Sequence, residues 1–278
     1  MSSNRTIAAP RHVSLAKYDP SDTEGLTKDE GDARLTELHQ RLTDLQALLY
    51  GAGRQSVLIV LQGLDTAGKD GTIKHVMAQL NPIGCRVASF KAPTEEELRH
   101  DFLWRVHQQT PAHGMMAIFN RSHYEDVLVA RVQQLVAPDE WRARYAEIND
   151  FERMLARSGT MLLKFFLHIS KDEQRKRLLA REQDPAKAWK LSVEDWKDRQ
   201  HWDAYLAAYE DALGRCGTEW APWHIVPANH KWYRNYVVAR TIVEQLATRE
   251  HAWKDELEAR GKVALATLRE AHVHEDEQ

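Results

Sequence analysis

Apolar positions along the chain fall into short continuous runs that alternate with helical stripes. Leu35, Leu38, Leu42, Leu45, Leu48 and Leu49 recur at three- and four-residue intervals, which predicts an amphipathic helix over about 33–50, ended by Gly51 and Gly53. The β-branched run Val57–Leu61 predicts a strand over 57–62, and Ile73, Val76, Met77 and Leu80 place a helix at about 70–80. Further strands are expected at Arg86–Phe90, Met115–Phe119, Met161–Ile169 and Trp223–Val226. Helices are expected between them. One runs from Thr94, which forms a capping box with Glu97, to about Gln109. Others cover 123–156 with a break near Pro138, 171–213 with a break at Asp184-Pro185, and 231–247. Strands alternating with helices argue for an α/β fold: a parallel sheet with helices on both faces, occupying about 33–249. Residues 1–32 hold Pro10, Pro20, Gly25 and Gly31 and follow no period, so an N-terminal extension that wraps the body or moves is expected there. The charged stretch 250–278 reads as a solvated helix or tail.

With 278 residues the chain can bury a full core. Its apolar runs are too short to span a bilayer, and Met-Ser-Ser-Asn-Arg at the start lacks a signal-peptide core; a cytoplasmic protein off the membrane is expected. Cys85 and Cys216 make neither a disulfide framework nor a zinc cluster and read as packed thiols. The formal net charge of −3 is unevenly spread. Between 174 and 190, six basic residues stand against two acidic ones, a local +4 that suits a polyanion met at one place. The nine tryptophans are not interleaved with basic residues, so no nucleic-acid surface is expected.

Between the strand at 57–62 and the helix after it, Gly63–Lys69 has the form G-x-x-x-x-G-K. In that setting it is a phosphate cradle, with backbone N–H groups and a helix N-terminus facing an anion and Lys69 reaching the outer phosphates. Gly63, Ala67, Gly68, Gly71 and Thr72 belong to this cradle and the turn that follows. Asp70 stands where Ser or Thr normally holds Mg²⁺, and Asp65 is a second acid inside the loop. Carboxylates beside phosphates repel them unless divalent cations lie between, so Asp65 is a candidate metal ligand or aligner of an attacking phosphate oxygen. The plainer alternative has Asp65 capping the turn and Asp70 the helix. The stretch Ile118–Arg131 closes the next long strand. Parallel sheets bind ligands at the carboxyl ends of their strands, which places Asn120, Arg121, Glu125 and Asp126 on the same edge as the loop. Arg121 would grip phosphate oxygens in a fork and Glu125 or Asp126 would complete a metal site, with Arg131 further along as a phosphate contact. Here the alternative is a Ser122/Glu125 capping box, and His123 reads as structural. After the fourth strand, Arg177 and Arg181 share a helix face, and the Asp184-Pro185 break makes 171–200 a helical hairpin suited to a lid. Lys187 and Lys190 extend its basic surface.

Four segments in order, Gly63-Leu-Asp-Thr-Ala-Gly-Lys-Asp-Gly71, Phe119-Asn-Arg-Ser-His-Tyr-Glu-Asp126, Asp184-Pro-Ala-Lys-Ala-Trp-Lys190 and Ala221-Pro-Trp-His-Ile-Val-Pro-Ala228, resemble the polyphosphate kinase family 2 from about Tyr50 to Leu246. The resemblance implies a thymidylate-kinase-like P-loop kinase fold, three-layer αβα, with a helical lid. It implies Mg²⁺-dependent phosphoryl transfer between inorganic polyphosphate and nucleoside mono- or diphosphates, in a homo-oligomer, dimer or tetramer. It assigns Asp65, Lys69, Arg121 and Arg181 to catalysis, and Asp65 with Glu125 to the metal. Asn120 and Glu125 look like the class III subgroup, which accepts both AMP and ADP. An ATP-dependent nucleoside monophosphate kinase and a non-catalytic nucleotide- or polyphosphate-binding regulator remain the rivals at this point.

Overall fold

The computed structural model describes residues 5–184 and 193–276. Six strands form one sheet in the order β1-β6-β5-β2-β4-β3. They are β1 (Thr6–Ile7), β2 (Ser56–Gln62), β3 (Cys85–Ser89), β4 (Met116–Asn120), β5 (Thr160–His168) and β6 (Trp223–Pro227). All neighbours run parallel except β1, which pairs antiparallel with β6. β2 is buried throughout, as its apolar run requires of a central strand covered on both faces. From it the chain goes out to β4 and β3 on one side and to β5 and β6 on the other. The loop after β2 therefore sits at the topological switch point of the sheet.

The helices fall into two packed groups. One comprises α1 (Lys28–Ala52), α2 (Lys69–Val76), α9 (Lys231–Ala247) and α10 (Glu250–Asp276); the other comprises α4 (Glu125–Val132), α5 (Pro138–Arg157) and α8 (Trp202–Cys216). This is the expected three-layer αβα arrangement. The N-terminal segment packs against the body: Ile7 and Leu15 are buried, β1 adds an edge to the sheet, and Asn229 donates its backbone N–H to the Pro20 carbonyl. Two elements differ from expectation. α1 starts five residues early, because Thr27 and Glu30 form a capping box that the leucine spacing does not reveal. The Thr94/Glu97 box does form, yet only a short turn follows before the four-residue helix α3 (Trp104–His107). Asp101 takes the Leu103 N–H on its own side chain, and this local turn competes with a continuous helix. Of the hairpin expected at 171–200, the described residues form α6 (Lys171–Glu182) and α7 (Val193–Gln200); Pro185, Lys187 and Lys190 lie outside the described residues.

A buried ionic cluster ties α4, α5, β5 and the end of α8 together. Lys164 is fully buried, and its ammonium donates to Glu152 Oε2 (2.6 Å), the Tyr124 hydroxyl (2.8 Å) and the Cys216 carbonyl (2.7 Å). The Tyr124 hydroxyl donates in turn to Glu152 Oε1 (2.8 Å), and His123 Nε2 lies 3.2 Å from the same oxygen. His123 thus has the structural place expected of it. The cluster anchors the segment that leaves β4 for α4, where candidate site residues lie.

Candidate active site

The loop expected to cradle phosphate joins β2 to α2. Gly63 has φ +156°, and a Cβ there would meet the Leu167 carbonyl at 2.8 Å, so β5 crowds out any larger residue. Gly68 (φ +108°) precedes the first turn of α2, whose leading N–H groups have no intrahelical acceptor, the arrangement that suits an anion. Thr72 is buried and bonds the Gly68 carbonyl through both its N–H and its hydroxyl (2.9 and 3.1 Å), closing the turn from inside. Lys69 arches over the loop to donate to the Gly63 carbonyl at 2.6 Å. Burial first, then the charge of Arg121, push its pKa down, while Asp65, Glu125 and Asp70 work against that shift.

The end of β4 supplies the facing half. Leu61 of β2 pairs with Asn120 of β4, so both segments leave the sheet at one level. Arg121 follows at φ +62°, a conformation that costs a non-glycine residue roughly 1–3 kcal/mol and concentrates at functional sites. Its backbone N–H bonds Leu61, and next to it Ser122 accepts from Gln62 Nε2 (3.0 Å). So fixed, the guanidinium bridges two carboxylates, Asp65 Oδ1 at 3.0 Å and Glu125 Oε2 at 3.2 Å. Burial opposes the Arg121 charge, but Glu125 and Asp65 outweigh it and raise the pKa. Asn120 donates to Asp70 at 2.8 Å, which links the two segments a second time. Asp65, Lys69, Asp70, Asn120, Arg121 and Glu125 are therefore brought together.

Arg131, Arg177 and Asp126 are not. Arg131 lies at the far end of α4, paired with Asp211 at 2.6 Å and stacked over Trp141; the strand-end rule does not extend two turns into a helix. Arg177 faces inward rather than toward a ligand. It donates to the carbonyls of Thr66, Ala67, Ala228 and Asn229 and to Glu173, pinning the cradle to the β6–α9 connection. Arg181 is half-buried in the last turn of α6. Asp126 turns away to Arg105 and Arg144. The Ser122/Glu125 capping box is absent, since Ser122 accepts from Tyr124 N–H and Glu125 is spent on Arg121. Two residues missed in the sequence border the site. Asp198 of α7 has its carboxyl pKa raised by burial and then by the charge of Asp65. Arg234 of α9 lies beneath the loop, donating to the Ala67 carbonyl at 3.2 Å.

Comparison with known proteins decides the family. The family described as Polyphosphate kinase 2 matches residues 25–254. The chain belongs to the polyphosphate kinase 2 family. An AMP/ADP-polyphosphate phosphotransferase of Meiothermus ruber is 54% identical over 234 residues, covering 84% of this chain and 88% of that one. An ADP-polyphosphate phosphotransferase of Rhodopseudomonas palustris is 44% identical, covering 81% and 82%. The solved polyphosphate kinase 2 of Arthrobacter aurescens superposes with a TM-score of 0.84 at 46% identity, over 87% and 88% of the two chains. Among the described residues of this polyphosphate kinase 2, no helix is long and apolar enough to cross a membrane. Nor does any group of three or more His, Cys, Asp and Glu there form a metal cage. Asp65 and Glu125 offer only carboxylate oxygens. That donor set suits a hard divalent cation held by one or two acids and completed by phosphate and water.

Proposed function

We infer that this chain moves the terminal phosphoryl group of inorganic polyphosphate onto nucleoside diphosphates and monophosphates, and back. The observation that carries this reading is the convergence of Lys69, Arg121, Asp65 and Glu125 on one sheet edge within a polyphosphate kinase 2 fold. An acceptor phosphate oxygen is already anionic, so the site needs positioning and charge neutralisation rather than a strong base. Lys69 and the amides of the α2 N-terminus hold the donor phosphates. Arg121, with its strained backbone, presents a planar fork to the group in transfer. Arg181, with Lys187 and Lys190, extends the positive surface along the donor chain and closes over it as part of a 171–200 lid. Asp65 and Glu125 would hold Mg²⁺, which supplies neutralisation of phosphate charge when bound. Arg121 would then be released from its two carboxylates toward the phosphates.

The relative named for both AMP and ADP, together with Asn120 and Glu125, supports use of both acceptors. The reading places the enzyme in the cytosol as a dimer or tetramer that engages no nucleic acid. Its test is ATP formation from ADP and long-chain polyphosphate in wild type, Lys69→Ala and Asp65→Asn. Both variants are expected to keep the wild-type circular dichroism and lose at least about two orders of magnitude in rate, the scale of a lost preorganised charge. Turnover near wild type in either would sink the assignment.

A further inference from the structure

Arg234 is 2% exposed, and no carboxylate among the described residues pairs with it. Its Nε and Nη2 donate to Asn235 Oδ1 (3.1 and 2.8 Å), and its Nη1 to the Ala67 carbonyl. The guanidinium fills the space against two loop glycines. A Cβ on Gly68 would overlap it, and one on Gly71 would stand 3.1 Å from Nη2. Gly68 is thus required by what lies beneath the loop, and at Gly71 the same side chain leaves a Cβ little room. Arg177 adds a second buried cation alongside. Burial first, then the Arg177 charge, push the Arg234 pKa down to about 9. A buried cation with no counter-ion is costly. This one is aimed at the inner face of a loop whose outer face is made to receive an anion.

We propose that Arg234 is a positioning residue for the donor: it fixes the curvature of the Ala67–Gly71 backbone from below, and its uncompensated charge raises affinity for the polyphosphate chain rather than for the nucleotide. The proposal rests on the functional reading above. Through the Ala67 carbonyl it turns the neighbouring N–H groups outward, and a bound phosphate is the counter-charge that its own surroundings lack. Lys69 and Arg121 meet the phosphates directly; Arg234 acts through the loop.

Three variants test it: Arg234→Gln, Arg234→Lys and Gly71→Ala. The last leaves Arg234 in place but crowds its guanidinium, whose Nη2 would stand 3.1 Å from the new Cβ. It replaces a helical glycine by alanine, which favours α2, so the fold is expected to hold even where Arg234→Gln does not. Calorimetric binding of inorganic tripolyphosphate, without nucleotide, is measured beside KM for polyphosphate and for ADP. We expect Arg234→Gln and Gly71→Ala to weaken tripolyphosphate binding and raise KM for polyphosphate about tenfold or more, the reach of ~1.4 kcal/mol. KM for ADP should move less than about twofold, and Arg234→Lys should recover part of the loss. A merely structural role would lower melting temperature and shift both KM values together, and that pattern overturns the proposal. So does tripolyphosphate binding within about twofold of wild type in a folded Arg234→Gln or in Gly71→Ala. If wild type itself makes no ATP from polyphosphate, it is the functional reading that fails, whatever the variants bind.

Discussion

Replacing Lys164 by methionine removes one half of an ion pair that is completely buried on both sides. All three ammonium protons are used in the native state, on Glu152, Tyr124 and Cys216, and the ammonium also sits 4.9 Å from the centre of the Trp223 ring. Methionine preserves most of the volume, so little of the loss comes from a cavity. The loss comes from Glu152, which stays buried with only Tyr124 and His123 beside it. Stranding one partner of such a pair costs about 3–5 kcal/mol. For a chain of this size that is a fall in melting temperature of roughly 6–15 °C, at two to three degrees per kcal/mol. Burial acts to raise the Glu152 pKa, but in the native protein Lys164 and His123 outweigh it and leave the carboxyl lowered. Its stabilising contribution is therefore present above the unfolded value near ~4.3 and lost as pH falls through the lower folded value. In Lys164→Met, burial has less opposing it and the folded pKa should rise above the unfolded one. The deficit should then shrink as pH falls from 7 toward 5. Urea unfolding of wild type and variant at pH 7 and pH 5 reads both effects. Adding Glu152→Gln to Lys164→Met should return at least half of the lost stability, because no charge is left stranded. A single variant within about 1 kcal/mol of wild type, with no pH trend, would refute the reasoning.

Three further outcomes follow from the same structure. Arg121→Lys keeps the charge but cannot span Asp65 and Glu125 with one planar fork, so the rate should fall about 10²-fold or more in a steady-state assay while the melting temperature moves little. If the basic 174–190 stretch carries the chain, KM for long polyphosphate should rise steeply between low and physiological salt, and KM for ADP should rise less. Burial pushes the Cys216 thiol up to about 12 and the Cys85 thiol to about 11, so a disulfide reagent at pH 8 should label neither until denaturant is added.

The sheet and the half of the site next to it can be read from residues alone, because each depends on local pattern. The Val57–Leu61 run, the glycines of the loop and the strand-end position of Arg121 each specify a place without reference to distant chain. What cannot be read is which way a cation on a helix turns. Arg177 and Arg181 share a helix face by spacing, yet Arg177 is drawn inward by four carbonyls contributed from the cradle and from the β6–α9 connection, more than fifty residues away in either direction. Arg131 is captured in the same way by Asp211, eighty residues on. Arg234 escaped notice for the converse reason. Its contact with the loop is a backbone carbonyl, Ala67, and no side-chain motif advertises it. The N-terminal segment has no hydrophobic period because its anchor is a two-residue strand on β6, too short to leave one.

The central claim is that the donor is inorganic polyphosphate. The most direct measurement supplies AMP as sole acceptor with divalent magnesium and either long-chain polyphosphate or ATP as sole donor, and follows all three adenine nucleotides by chromatography. The account predicts ADP and then ATP from AMP and polyphosphate, with the polymer consumed in step. ADP formed from ATP and AMP, with polyphosphate inert toward both AMP and ADP, would contradict it.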